Sequence, residues 1–287
     1  MSCAFIGRCF FLHYRGPWRS VQHDSKSFLR AKLDQYLVQE EDLPGDITIS
    51  EDGGVRYLHF GTRWIQGAMS LTRPDDLVLS YTQQMMGWML FERRQGINKL
   101  AILGLGAGGL VRFCHKHVQQ TQIDVVEINP EVTAMCQAFF RLPQSDRIEI
   151  IHADADHWVN EPAQHAQYDL MLIDLYDEHA QGPVCSSLSF YQGCANSLNE
   201  HGICVINLFG NHESFDANME NIEKAFSGRY IMLPEVDEGN VIVIAFKGNQ
   251  LDVPIGELLE RAGQLKKAYK FPALNWVKGL LSSLHTK

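Results

Sequence analysis

The chain has 287 residues, 45% apolar and 21% charged, with a formal charge of −9. This is a globular composition, and the length supports one large domain or a large one with a small one. The acidity argues against a general nucleic-acid binder, which carries a basic face, and no apolar run reaches the ~18 residues of a membrane span.

Residues 1–45 form an N-terminal segment, partly irregular, with one short helix expected over Ser27–Glu40. Ala4–Leu12 is mostly apolar but has neither a basic leader nor a small-residue cleavage site, so it reads as a loosely packed, non-secretory start. The seven cysteines are odd in number, scattered and without a C-x-x-C pair. They read as free thiols of a cytoplasmic protein.

Residues 46–72 change character. Short β-rich runs are broken by Asp52-Gly53-Gly54 and Gly61, and Asp-Gly is a strong hairpin signal. A small antiparallel β-domain is expected here. Leu77–Arg93 is expected to be helical, with Met85, Trp88 and Met89 packing into the core.

From 73 to 250 the pattern alternates strand and helix. Strands are expected at Leu100–Leu103, Ile123–Glu127, Ile148–His152, Leu170–Asp174, Ile203–Leu208, Tyr230–Leu233 and Val241–Phe246. Helices should follow the first five. This predicts an α/β fold, a doubly wound seven-stranded Rossmann-like sheet whose last two strands make an antiparallel edge, preceded by the small β-domain. Residues 251–287 carry six Lys/Arg against three Asp/Glu. They are expected to form a basic helical tail built on Leu258, Leu259, Ala262 and Leu265, broken at Pro272 and packed on its own domain.

The chemistry concentrates at the strand ends, where ligands of such sheets bind. LGLGAGGL supplies Gly104, Gly106 and Gly108, a turn whose backbone can come close to a ligand. Glu127 closes the next strand, where a carboxylate accepts hydrogen bonds from ribose hydroxyls. Gly104, Gly106 and Gly109 also satisfy G-x-G-x-x-G, so this loop by itself leaves NAD and an S-adenosyl ligand both open.

Asp154, in HADAD, is placed to accept from an adenine amine; its structural alternative is a helix N-cap, a role also open to Asp156. Asp174 ends an apolar strand, and with Asp177 it forms an acidic pair suited to a cationic substrate and to deprotonating an amine nucleophile. His115 and His117 fall on different helix faces, and none of the twelve histidines has metal-binding spacing. No metal is expected.

On ILGLGAGGL, VVEINPEV, the Asp154 segment, YDLMLIDLYDE and SFYQGCANSLNEHGICVINLFG, the chain resembles the spermidine synthase (polyamine aminopropyltransferase) family on the class I S-adenosylmethionine methyltransferase fold. The resemblance runs from about Asp46 to Phe246. It implies a homodimer or homotetramer joined through the β-domain. It also implies S-adenosylmethionine or its decarboxylated form as co-substrate, and an amine or polyamine acceptor.

By motif, Glu127 resembles the ribose acid, Asp154 the adenine-amine acceptor and Gln66 the nucleoside-contacting glutamine. Asp174 resembles the catalytic carboxylate with Asp177 as its partner, and Tyr81 and Gln84 fall near the residues lining the amine site. The chain departs from the family pattern in three places. Ala107 stands where the glycine loop normally carries an acid that holds the aminopropyl ammonium. Tyr81-Thr82-Gln83-Gln84 replaces Tyr-x-Glu. Glu178 replaces a proline. The readings carried forward are an aminopropyl-transferring enzyme, a methyltransferase on the same pocket, and a catalytically silent nucleoside-binding protein. An NAD oxidoreductase gives no role to Asp154 or Asp174.

Overall fold

A computed structural model describes residues 10–14, 19–22, 47–62, 64–92, 96–176, 184–236 and 239–284. The expected helix over Ser27–Glu40 lies outside these residues, as does Asp177.

The N-terminal sheet has five antiparallel strands in the order β2-β1-β3-β4-β5: β1 (Phe10–Tyr14), β2 (Arg19–Gln22), β3 (Ile47–Asp52), β4 (Val55–Phe60) and β5 (Gly67–Ser70). Asp52 pairs with Val55 across Gly53 and Gly54, both at positive φ, which is the hairpin expected of that sequence. The sheet is larger than the expected β-domain of 46–72. It recruits two strands from the segment read as irregular, because β3 pairs with β1. Ile47, Ile49, Leu58 and Met69 are buried in one cluster with the main domain, while Tyr57 and Ala68 form a small separate cluster with Val55 and Ile65.

The second sheet has seven strands in the order β11-β12-β10-β9-β6-β7-β8. They are β6 (Lys99–Leu103), β7 (Gln122–Val126), β8 (Ile148–Ile151), β9 (Tyr168–Ile173), β10 (Leu198–Phe209), β11 (Tyr230–Met232) and β12 (Asn240–Phe246). Strands β6 to β10 run parallel, β12 is antiparallel to β10, and β11 is antiparallel to β12. Each of the first five is followed by a helix: α2 (Gly109–His117), α3 (Pro130–Phe139), α4 (Ala155–Val159), α5 (Leu188–Ser197) and α6 (Phe215–Phe226). Leu100–Leu103 and Leu170–Ile173 are fully buried, as strands covered on both faces must be.

The predicted helix over Leu77–Arg93 is shorter than expected. Helix α1 (Ser80–Met85) gives way to a 3-10 turn over Met86–Leu90. A Cβ at Gly87 would come within 2.8 Å of the Leu233 side chain, so the chain tightens where it is pressed against the sheet edge. Met85 and Trp88 are buried as expected and Met89 partly so. The tail forms α7 (Ile255–Tyr269) and α8 (Ala273–Leu284), separated at Pro272 as expected. Leu258, Ala262, Leu265, Phe271 and Trp276 bury it against its own domain, and Arg261 donates to the Leu90 carbonyl at 2.8 Å. Among the described residues no helix is long and apolar enough to cross a membrane.

Candidate active site

Sheet order builds the site. Strand β6 lies between β9 and β7, so the glycine loop that follows it is flanked by the ends of both neighbours. Glu127 stands on one side and Asp174 on the other. The start of the loop is anchored on both sides: the Gly104 N–H donates to Val126 O at 2.8 Å, and the Asp174 N–H donates to Leu103 O at 2.9 Å. Gly104 has φ +92°, and a Cβ there would lie 2.2 Å from the Asp174 carbonyl oxygen. Only glycine fits that conformation and that approach.

The Asp174 carboxylate is held by two donors. Asn207, on β10, donates from Nδ2 to Oδ1 at 2.9 Å. Tyr81, on α1, donates from its hydroxyl to Oδ2 at 3.4 Å. Solvent reaches Asp174 along a narrow cleft, but protein surrounds the carboxylate itself. Burial therefore pushes its pKa up, against the opposing pull of the Asn207 and Tyr81 hydrogen bonds. An aspartate held this way is a stronger base than one in water. Because the Tyr81 hydroxyl stabilises the charged form, Tyr81→Phe should move the acidic limb of the rate profile to higher pH, with a modest change in the plateau rate; pH–rate profiles of the two proteins check this.

The cleft is lined by Gln66, Gly67 and Ala68, by Leu77–Leu79, Tyr81 and Thr82, by Leu105–Ala107, Gly109 and Leu110 of the loop and helix start, and by Asp174. The cleft is partly open to solvent, and its inner space of about 20 Å³ holds about one water. Glu127 and Ile128 stand on the other side of the loop, at the end of β7. Glu127 accepts from the Leu105 N–H at 3.0 Å on Oε2 and from the Asn129 N–H at 2.8 Å on Oε1. Burial raises its pKa while these amides and His152 oppose the shift. The Ile128 N–H is a third backbone donor to this carboxylate, so of its roughly four acceptor sites one is left for a ribose hydroxyl. Ile128 is 69% exposed beside it, an apolar side chain that the face of a base can cover.

Asp154 proves to be the N-cap of α4. Its Oδ1 accepts from the Asp156 N–H at 2.8 Å and the His157 N–H at 3.1 Å. The structure thus gives the cap to Asp154 and not to Asp156, which sits in the first turn. Asp154 is exposed, and both of its cap bonds fall on Oδ1, which leaves Oδ2 out of the cap. Capping and ligand contact are separable by substitution. Asp154→Ala should cost about 1 kcal/mol of stability, whereas Asp154→Asn keeps the cap and weakens adenosyl binding through the lost charge. Thermal denaturation and ligand titration of the two variants measure these effects.

Gln84 does not line the cleft. It is fully buried and donates from Nε2 to Pro234 O at 2.9 Å, because α1 turns that side of its surface onto the sheet edge. Tyr81 and Thr82 line the wall instead. Gln66 lines the cleft, its carbonyl oxygen 3.0 Å from where a Gly106 Cβ would stand.

Asn207 and Ile128 escaped sequence reasoning. Asn207 had a signal, since it is the one polar residue in the apolar run Ile203–Leu208. Ile128 had none beyond its place after Glu127. Among the described residues no group of histidine, cysteine and acidic side chains could hold a metal. His117 is enclosed by the rings of Phe113 and Tyr269.

A family model, the spermine/spermidine synthase domain, matches residues 78–254. The chain is 32% identical over 239 residues to the polyamine aminopropyltransferase of Neisseria meningitidis serogroup A, covering 83% of this chain and 90% of that protein.

The chain belongs to the spermine/spermidine synthase family.

The polyamine aminopropyltransferase of Chromobacterium violaceum is 33% identical over 222 residues, 77% of this chain and 84% of the relative. The fold agrees with a solved spermidine synthase in complex with the transition-state analogue AdoDATO, at TM-score 0.65 and 20% identity, covering 82% of this chain and 81% of that one. Membership makes the chain a transferase on the methyltransferase-like fold, with the small antiparallel sheet in front. One departure from the family pattern is visible in the geometry. Ala107 presents a buried methyl, 3% exposed, at the cleft wall. It packs so closely on Gly67 that a Cβ on the latter would lie 2.5 Å away.

Proposed function

We propose that the chain transfers an aminopropyl group from an S-adenosyl sulfonium to an amine or polyamine, with Asp174 as the base. The observation that carries this reading is the Asp174 carboxylate, fixed by Asn207 and Tyr81 at the end of a cleft. The ribose-type acid Glu127 stands on the other side of the same glycine loop.

In this reading Glu127 receives the ribose hydroxyls, Asp154 and Ile128 the base, and Gln66 the nucleoside edge of the cleft. Tyr81 and Thr82 wall the amine end. Asp177, outside the described residues, is the second acid that the resemblance pairs with Asp174. The sulfonium supplies a good leaving group, which leaves the protein to position and deprotonate. The amine presents its lone pair to the propyl carbon bonded to sulfur, the electron pair of the breaking C–S bond stays on sulfur, and the proton lost by the amine passes to Asp174. A cationic acceptor is drawn to this end of the cleft by Asp174, whose charge is little screened where water is scarce. The reading carries with it a cytoplasmic homodimer or homotetramer joined through the N-terminal sheet, which sedimentation of the purified protein measures.

The test is product analysis by mass spectrometry, with decarboxylated S-adenosylmethionine and a panel of diamines and polyamines. Methylthioadenosine together with an acceptor lengthened by one aminopropyl group is expected. Formation of S-adenosylhomocysteine and a methylated amine from S-adenosylmethionine would replace this reading with methyl transfer. Binding without any product across the panel would reduce the protein to a nucleoside binder.

A further inference from the structure

We infer that the same site also takes the carboxylated donor, S-adenosylmethionine itself, and passes its 3-amino-3-carboxypropyl chain to the acceptor amine. This rests on the reading of the site as one for alkyl transfer to an amine.

A donor held by Glu127 and attacked beside Asp174 must cross the glycine loop, because β6 lies between β7 and β9. Its chain then lies along Gly106–Leu110 and Gln66–Ala68. Among the described residues lining the cleft, Asp174 is the single carboxylate. The wall along the chain holds none. It offers the methyl of Ala107, and the start of α2 at Gly109 and Leu110, whose first N–H groups have no partner within the helix.

Behind that wall is a cation. Arg112 is 1% exposed. Its Nε donates to Pro74 O at 2.7 Å, and its Nη1 donates to Ala107 O at 2.5 Å and Phe140 O at 2.7 Å. All three partners are neutral carbonyls, and Nη2 is buried with no partner. Nη2 lies 3.9 Å from where a Gly109 Cβ would stand; the same point is 3.9 Å from Ala68 O and from Leu77 Cδ2, both at the cleft wall. The missing side chain at Gly109 thus leaves the guanidinium directly behind the cleft. Asp75, whose charge reaches Arg112, is bridged to Lys116 at 2.6 Å. Burial pushes the Arg112 pKa down to about 10, so the group is still charged at neutral pH.

A buried cation without an anionic partner is costly, and an anion brought beside it lowers that cost. The loop end of the cleft therefore has a positive potential, from Arg112 and from the N-terminal dipole of α2. A bare aminopropyl ammonium meets repulsion there. The amino-acid end of S-adenosylmethionine meets it with a carboxylate that pairs with the wall, while its own ammonium stays beside that carboxylate. The reacting carbon is the same, so the displacement is unchanged. The amine lone pair forms the new C–N bond to the carbon next to sulfur, and the C–S bond breaks with its electrons on sulfur. Neutral methylthioadenosine leaves, and the amine proton goes to Asp174.

Calorimetric titration of the full chain with both donors, and mass spectrometry of each donor incubated with a diamine, test the inference. We expect Kd values within about tenfold of one another, and S-adenosylmethionine yielding methylthioadenosine and an aminocarboxypropylated amine. Ala107→Asp, which places an anion at the wall, should shift the Kd ratio towards the decarboxylated donor by at least about tenfold. If that variant does not fold, the wild-type titrations and products decide alone. Aminopropylated product from the decarboxylated donor, with neither tight binding nor product from S-adenosylmethionine, overturns this inference and leaves the proposed function standing. S-adenosylhomocysteine from S-adenosylmethionine, or no product from either donor, overturns both.

Discussion

Asp174→Asn should lower turnover by about a thousandfold, the scale of removing a positioned general base, while leaving S-adenosyl binding within about twofold of wild type. Asparagine has nearly the same shape and can still meet Asn207 and Tyr81, so the cleft keeps its form. It loses the ability to take the amine proton. In the proposed reading the nucleoside is held from the far side of the glycine loop, by Glu127 and its neighbours, which the substitution does not touch. Single-turnover kinetics combined with calorimetry separate the two effects. Near-wild-type turnover would remove Asp174 from the chemistry.

The same variant should be more stable than wild type at neutral pH. Burial raises the Asp174 pKa above that of the unfolded chain, so the native state binds this proton more tightly than the unfolded state does. Its stabilising contribution is therefore full at pH below the unfolded value and is lost as pH rises through the folded one. At neutral pH the carboxylate is a net cost to the fold, relieved by a neutral side chain. Activity runs the opposite way: turnover rises with pH as Asp174 ionises, with a midpoint above that of an ordinary aspartate. A melting temperature raised in Asp174→Asn at neutral pH but not in acid checks the sign.

Gly104→Ala should cost about 3 kcal/mol or more, a fall in Tm of roughly 10 °C. It should abolish S-adenosyl binding in whatever protein remains folded. Two independent causes act together. At φ +92° an L side chain is strained wherever it is placed, and the added Cβ would sit 2.2 Å from the Asp174 carbonyl oxygen. The neighbour that has to yield is backbone, at the point where β9 hands Asp174 to the cleft. Relief of the clash therefore displaces the base itself. Gly109→Ala is the matching control in the same loop, because the contacts there are 3.9 Å and no strain is added. It should keep its Tm within a few degrees.

Much of this site was legible before folding. An apolar run followed by glycines, and a second followed by Glu127, place two ligand-bearing strand ends from near-neighbour patterns alone. Asp174 was legible for the same reason, as an acid that ends a run too apolar to be anything but a buried strand. Asp154 was half legible: both its roles fit the residue type, and only the hydrogen bonds to Asp156 and His157 show that it caps α4. Gln84 was misplaced, since α1 is under two turns long and its rotation is fixed by the sheet edge beneath it, not by its own spacing. Asn207 lies 33 residues beyond Asp174, and its polarity inside an apolar strand gives no partner. The first two strands of the N-terminal sheet were also missed. Their pairing with β3 crosses a long intervening segment, and no periodicity within five residues records it.

By itself the sequence determined which residue each strand presents at its end, and that glycines follow β6. These are local matters: alternation, apolar runs and turn chemistry depend on neighbours within a few positions. Only the tertiary structure decided that β6 lies between β7 and β9, bringing Glu127 and Asp174 to the two sides of one loop. It alone brought Tyr81 and Asn207 to the same carboxylate and left Arg112 behind the loop with only backbone carbonyls as hydrogen-bond partners. Strand order and side-chain convergence follow from burying apolar surface contributed by the whole chain, and that demand is settled between distant segments.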